Sequence, residues 1–168
     1  IPRRKLLTIP NGVEPFKSVT DEELSRVRDQ LAIPEGSKLV GTISRLVWEK
    51  GLSDLIRAWS VVSRKEPAAV LLLAGEGPER AALESLVDSF SLRSSVQFLG
   101  TRSDVPLLLR NLDLFVMPSV SEGLPLALLE VSTMLDRTRD VEGTSAEFGV
   151  ERGGRRIITK IAADGALG

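Results

Sequence analysis

Four short runs of this chain are mostly apolar instead of alternating regularly with polar residues: Lys38-Leu-Val-Gly-Thr-Ile-Ser44, Ala69 to Ala74, Val96 to Leu99 and Leu114 to Met117. Successive side chains of a strand point to opposite faces, so a strand with one face in water alternates. A strand that does not alternate needs both faces covered, which is the situation of a parallel sheet between two layers of helices. The stretches between the runs supply those helices. Thr20 followed by Glu23 forms a capping box ahead of a helix to about Leu31. After Arg45 to Lys50, a helix carries Leu52, Leu55, Ile56, Trp59 and Val62 on one face, and another runs from Glu79 to about Phe90 with Pro78 near its first turn. A short helix is expected around Val105 to Asn111, and a further strand at Leu6 to Ile9, before the turn residues Pro10, Asn11 and Gly12. The expected fold is α/β, a doubly wound, mostly parallel sheet with helices on both faces.

The residue inventory narrows the chemistry. With 22 basic and 23 acidic side chains the net charge is −1, which gives no electrostatic reason for a nucleic-acid partner, so any anion site must be local. The chain has neither cysteine nor histidine. Thiolate and imidazole chemistry are therefore excluded, and catalysis must rest on carboxylates, Lys, Arg, hydroxyls and backbone dipoles. The absence of cysteine fits a reducing, cytoplasmic compartment. No run approaches ~18 consecutive apolar residues and no signal-peptide succession opens the chain, so neither a membrane span nor a secretory leader is read here. The first residue is Ile1, and the chain reads as a piece of something longer.

In doubly wound sheets, ligands gather at the carboxyl ends of the strands. Three unusual segments fall there: Arg45 to Gly51, Gly75 to Pro78, and Ser119 to Leu124. Arg45 and Lys50 lie between a buried strand and the start of a helix, where positive charge opposes the helix dipole. They are either two solvated surface charges or an anion cradle, in which a bidentate guanidinium and an ammonium converge on phosphate oxygens and Gly51 lets the backbone approach closely. The turn Gly75-Glu-Gly-Pro-Glu79 suggests a dinucleotide fingerprint, but Arg80 stands where that pattern needs Gly or Ala, and a tight strand-to-helix turn is the reading retained. In Ser121-Glu-Gly-Leu-Pro-Leu-Ala-Leu-Leu-Glu130, Pro125 belongs in a first helical turn whose free amides would make a second anion site. Glu122 is then a helix-dipole acid or a ligand group, and Glu130 an acid at a wet helix edge or a group needing a partner.

The ordered set decides. S-R-L-V-x-E-K-G, L-L-A-G-E-G-P-E, V-Q-F-L-G and D-L-F-V-M-P-S-x-S-E-G-L-P-L-A-L-L-E, with I-P-N-G-V-E at Ile9 to Glu14, resemble the nucleotide-sugar-binding domain of retaining GT-B glycosyltransferases of the group 1 type. The resemblance covers roughly residues 5 to 130 and implies a Rossmann-like, C-terminal half of a GT-B fold. It implies that Arg45 and Lys50 hold the donor diphosphate and stabilise its departing charge, without a metal ion and with no cofactor. It implies that Glu122, first acid of the family's E-x7-E motif, contacts donor-sugar hydroxyls, while Glu130 accepts from the ribose diol. The backbone over Gly123, Leu124, Pro125 and Leu126 is expected to complete the diphosphate site, and Arg102 to border the nucleobase. The implied reaction moves a sugar from a UDP- or GDP-linked donor to an acceptor hydroxyl with retention. An N-terminal domain outside this chain would supply acceptor binding and any peripheral membrane contact.

After Glu130 the resemblance stops. Residues 1–132 are expected to form a partial donor-binding domain, and residues 133–168 a tail in which only Arg155 to Ala162 reads as a strand, the remainder being disordered or foreign to the family. The expectation is a truncated or rearranged gene. Two other readings stay open, a nucleotide-binding or interaction module without turnover and a degenerate fragment.

Overall fold

The computed structural model describes residues 19–120 and two further strands, 145–152 and 155–162. Helix α1 (Asp21–Gln30) opens with the expected reciprocal cap: the Glu23 backbone N–H donates to Thr20 Oγ1 at 3.3 Å and the Thr20 N–H donates to the Glu23 carboxylate at 2.9 Å. Two N–H groups that the helix cannot pair internally are thereby satisfied. The bond from the Thr20 backbone also holds the Glu23 carboxyl below its ordinary pKa.

Strands β1 (Leu39–Ile43), β2 (Val70–Ala74), β3 (Val96–Gly100) and β4 (Leu114–Phe115) form a parallel sheet in the order β3-β2-β1-β4. All five residues of β2 are buried, and they divide between two cores. Leu71 and Leu73 pack with Leu52, Ile56 and Trp59 of α2 (Leu52–Lys65) and with Leu83 and Val87 of α3 (Arg80–Ser89). Val70, Leu72 and Ala74 pack with Leu108 of α4 (Val105–Asn111) and with Leu31 and Ile33 beyond α1. The unbroken apolar run is thus explained by a central strand that feeds helices on both sides. Trp59 keeps its indole N–H satisfied inside the first core by donating to Ser95 Oγ at 3.2 Å.

The chain winds outward from β1 through β2 to β3, then returns to place β4 on the other flank of β1. That reversal makes a topological switch point between β1 and β4, the kind of place where ligands gather in open α/β sheets. β4 is shorter than the expected Leu114 to Met117, although pairing continues one step through the Val116 N–H, which donates to the Gly41 carbonyl at 2.8 Å. Val62, expected on the buried stripe of α2, is 39% exposed, because it lies beyond Trp59 and Ser60, the last buried positions of that helix.

In the tail, the strand read at Arg155 to Ala162 is β6 (Arg155–Ala162), and it pairs antiparallel with β5 (Ser145–Arg152), a strand the patterning argument did not find. The expectation of an unpatterned remainder is corrected at residues 145–152. The segment Ala146-Glu-Phe-Gly-Val-Glu151 alternates, and Gly153-Gly154 separates the two strands, a spacing associated with tight hairpins. The register sets Glu147 opposite Lys160 and Glu151 opposite Arg156. Leu6 to Ile9 and Ile9 to Glu14 lie outside the described residues. Among the described residues, no helix is long and apolar enough to cross a membrane.

One position inside β1 is out of keeping with its surroundings. Thr42 is 2% exposed and its Oγ1 has no hydrogen-bond partner among the described residues. An unmet buried hydroxyl costs about 1–3 kcal/mol, whereas an apolar group of the same shape costs nothing of the kind. Thr42→Val is therefore expected to stabilise the chain by about 1 kcal/mol. The reading is a raised urea midpoint at unchanged slope; a lowered midpoint would show that the hydroxyl is satisfied.

Candidate functional site

The loop that leaves β1 is fastened to the turn that leaves β2 by three backbone hydrogen bonds. Ser44 N–H donates to the Ala74 carbonyl at 3.0 Å, Leu46 N–H to the Glu76 carbonyl at 2.9 Å, and Glu79 N–H to the Leu46 carbonyl at 3.1 Å. Leu46 is 1% exposed and anchors the loop in the core, while its neighbour Arg45 is exposed. The anchoring explains how a long cation can be held at the sheet edge with little freedom in the backbone that carries it.

Beyond Leu46 the chain makes a single 3-10 turn, Trp48–Lys50, closed by Gly51 at φ 62°. Gly51 accepts the N–H groups of Asp54 and Leu55 at 3.1 and 3.2 Å and so begins α2. A Cβ at Gly51 would stand 2.3 Å from the Pro118 carbonyl oxygen, and the Val120 N–H donates to the Glu49 carbonyl at 2.9 Å. The glycine expected to admit a ligand's close approach thus admits the backbone of the loop after β4. These contacts join the two loops that flank the switch point. Lys50 sits half-buried at the end of the 3-10 turn, two residues before the start of α2.

A cleft of about 260 Å³ opens where the ends of β1, β2 and β3 meet, with Ser44, Arg45, Glu76, Thr101 and Arg102 among its lining residues. Lys50 and Gly51 do not line it. The sequence set Arg45 and Lys50 in one cradle; the fold puts Arg45 at the cleft and Lys50 off its lining, at the α2 end of the same loop.

The charges of the cleft are paired except at one place. Arg102, expected to border a nucleobase, is held by Asp104: its Nε donates to Oδ1 at 2.7 Å and its Nη2 to Oδ2. The pair is largely covered, at 20% and 27% side-chain exposure, so the guanidinium's donors are already directed. Glu76 is taken up by Arg80, which also donates to Glu84 at 2.9 Å and lies 5.7 Å from the Phe98 ring centroid. The Glu84 and Glu76 carboxylates raise the Arg80 pKa further, so this cation persists at every ordinary pH. Arg80, the residue that breaks the dinucleotide fingerprint, thereby neutralises the acid on the cleft wall. The Arg45 guanidinium has no hydrogen bond or ion pair among the described residues, so it is the lining charge left uncompensated there.

Of the residues that sequence reasoning singled out, Arg45 and Arg102 line the cleft and Lys50 and Gly51 do not; it did not single out Ser44, the Glu76–Arg80 pair or the Asp104 clamp. The Glu76–Arg80 spacing of four was a readable signal. Glu122, Gly123, Leu124, Pro125, Leu126 and Glu130 lie outside the described residues.

Comparison with known proteins adds an independent line. Residues 25–134 match the family described as Glycosyl transferases group 1. The chain is 30% identical over 128 residues to the alpha-monoglucosyldiacylglycerol synthase of Streptococcus pneumoniae, covering 73% of this chain and 29% of that protein. Among solved structures it is similar to Anabaena Alr3699/HepE in complex with UDP and glucose, with a TM-score of 0.63 and 27% identity over 70% of this chain and 32% of that one. It is also similar to WaaG, a glycosyltransferase involved in lipopolysaccharide biosynthesis, with a TM-score of 0.63 and 25% identity over 75% of this chain and 35% of that one. The chain spans about a third of the length of these relatives.

Proposed function

The chain belongs to the Glycosyl transferases group 1 family, and from that premise we propose that it is the donor-binding part of a glycosyltransferase, acting with an N-terminal domain to move a sugar from a UDP- or GDP-linked donor to an acceptor hydroxyl with retention. The observation that carries the reading is Arg45, an uncompensated guanidinium on a fastened loop at the carboxyl edge of a parallel sheet, lining a cleft whose other charges are paired. A diphosphate is the ligand chemistry that suits such a place, because a planar guanidinium matches two phosphate oxygens at once. A solved relative binds UDP and glucose, which favours UDP over GDP as the first ligand to try.

In the proposed site, Arg45 holds the diphosphate and Lys50, from the next turn of the loop, adds a second positive charge as the bond to the sugar breaks. Their contribution is electrostatic: fixed cations facing the charge that develops on the leaving group, in the role magnesium plays elsewhere. Glu122 reads donor-sugar hydroxyls, Glu130 the ribose diol, and the backbone N–H groups of Gly123, Leu124 and Leu126 the remaining phosphate oxygens, with Pro125, which has no N–H, setting the first helical turn. Gly51 contributes by letting the loops after β1 and β4 meet. Arg102 borders the base as one half of the Arg102–Asp104 pair, which presents a fixed wall. Acceptor choice and membrane attachment belong to the N-terminal domain.

The test is isothermal titration of the chain with UDP, GDP and their sugars. Saturable one-to-one binding of a nucleoside diphosphate is expected, and heats indistinguishable from dilution for every ligand would overturn the reading. Transfer measured after adding an N-terminal domain then separates an enzyme from a module that binds without turnover.

A further inference from the structure

The end of β1 carries a buried polar group that the fold itself leaves unused. Ser44 follows the last residue of the strand and lines the cleft beside Arg45. Its backbone is committed: the N–H donates to Ala74, and the carbonyl oxygen lies 1.9 Å from where a Cβ on Gly75 would stand. Its hydroxyl is not committed. Ser44 Oγ is buried and has no hydrogen-bond partner among the described residues. Protein interiors pair almost all such groups, since a buried hydroxyl without a partner has given up its bonds to water for nothing. Alanine would occupy the same place without that cost. A serine here is explained if its partner comes from outside the fold.

We propose that Ser44 is a ligand-binding residue of the cleft, its hydroxyl turning about the one side-chain bond to donate to a phosphate oxygen of the nucleoside diphosphate held by Arg45. The proposal rests on the donor-binding reading above and adds a residue to it. Serine offers one O–H donor that rotates to suit, and a bond from it to an anionic oxygen is roughly twice as strong as one between neutral groups. Because Ser44 and Arg45 are consecutive on a fastened loop, an anion drawn to the guanidinium arrives next to the hydroxyl. The same hydroxyl then weakens the empty fold and strengthens the filled one. Removing it must move stability and affinity in opposite directions, which loss of ordinary packing does not do. Thr42 supplies the contrast, since its Oγ1 is equally unpartnered but it does not line the cleft.

The experiment compares wild type, Ser44→Ala and Thr42→Val in the full chain by UDP titration and urea unfolding without ligand. Ser44→Ala is expected to bind UDP about tenfold more weakly, the effect of one hydrogen bond to a charged group, while its urea midpoint rises. Thr42→Val should raise the midpoint and keep the wild-type affinity. Unchanged UDP affinity in Ser44→Ala overturns the proposal alone, as does a lowered midpoint, which would mean that the hydroxyl already serves the fold. A wild type that binds neither UDP nor GDP overturns both this proposal and the reading beneath it.

Discussion

Gly75→Ala is expected to lower the unfolding free energy by about 4 kcal/mol, a large part of the stability of a single domain. Two costs add. The backbone there is at φ 134°, a conformation close to glycine-only, and forcing a side chain into it costs about 1–3 kcal/mol. The new Cβ would also sit 1.9 Å from the Ser44 carbonyl oxygen and 2.9 Å from its carbon. Both atoms belong to backbone pinned by the Ser44–Ala74 hydrogen bond, so neither can swing aside as a flexible side chain would, and overpacking of this kind adds about 1–3 kcal/mol. Gly36 is the control, because its φ is 76° and a Cβ there meets nothing within 4 Å. Gly36→Ala should show the conformational cost alone, about 1–2 kcal/mol. Urea unfolding of the two variants measures the difference, and a Gly75→Ala protein no less stable than Gly36→Ala would mean that the two turns do not touch.

That contact also marks where reading the sequence stops. The layered fold was legible because burial on two faces imposes a local signature, and Val70-Leu-Leu-Leu-Ala74 displays it without help from any other part of the chain. The cap at Thr20 and Glu23 was legible for the same reason, as both partners lie within one turn. The joining of Gly75 to Ser44, of Gly51 to Pro118 and of Glu49 to Val120 was not, since each pairs residues from loops far apart in sequence. Periodicity says which face of an element is buried and is silent on which loops meet above the sheet. Val62 illustrates the limit within one helix: its spacing suits the buried stripe, but burial along α2 ends at Trp59 and Ser60.

The candidate site divides along the same line. Arg45 and Lys50 could be picked out because charge at the start of a helix, after a buried strand, opposes the helix dipole and asks for an explanation. Whether a given cation is available could not be read. Arg102 and Asp104 are two residues apart, a spacing that permits an ion pair and equally permits two solvated charges; the loop geometry after β3 selects the pair. Arg80 looked like a departure from a glycine motif, and its partners show a second role, covering the Glu76 charge that would otherwise repel an anion from the cleft. Ser44 was invisible because an absent hydrogen bond leaves no trace in composition or spacing.

Arg45→Ala should weaken UDP binding by about 1.5–3 kcal/mol, the range for hydrogen bonds to charged groups, which is a factor of ten to over a hundred in Kd. Lys50→Ala should cost a similar amount, through loss of charge next to α2. The Arg45 guanidinium is exposed and makes no hydrogen bond or ion pair among the described residues, so its removal should leave the unfolding free energy, measured in urea, within about 0.5 kcal/mol of wild type. Binding would then fall with the fold intact, the reverse of what Gly75→Ala predicts. Arg45→Lys separates charge from shape: a compact ammonium keeps the attraction but loses the two-pronged match to phosphate, so an affinity between wild type and Arg45→Ala is expected. Arg57, exposed on the outer side of α2, is the control cation, and Arg57→Ala should bind as wild type does. If Arg45→Ala and Lys50→Ala both bind UDP as tightly as the unaltered chain, the diphosphate does not lie at this loop. If Arg45→Ala, Lys50→Ala and Arg57→Ala all weaken binding equally and only at low salt, the effect is general attraction between a cationic surface and an anion, and the cleft has no special claim on it.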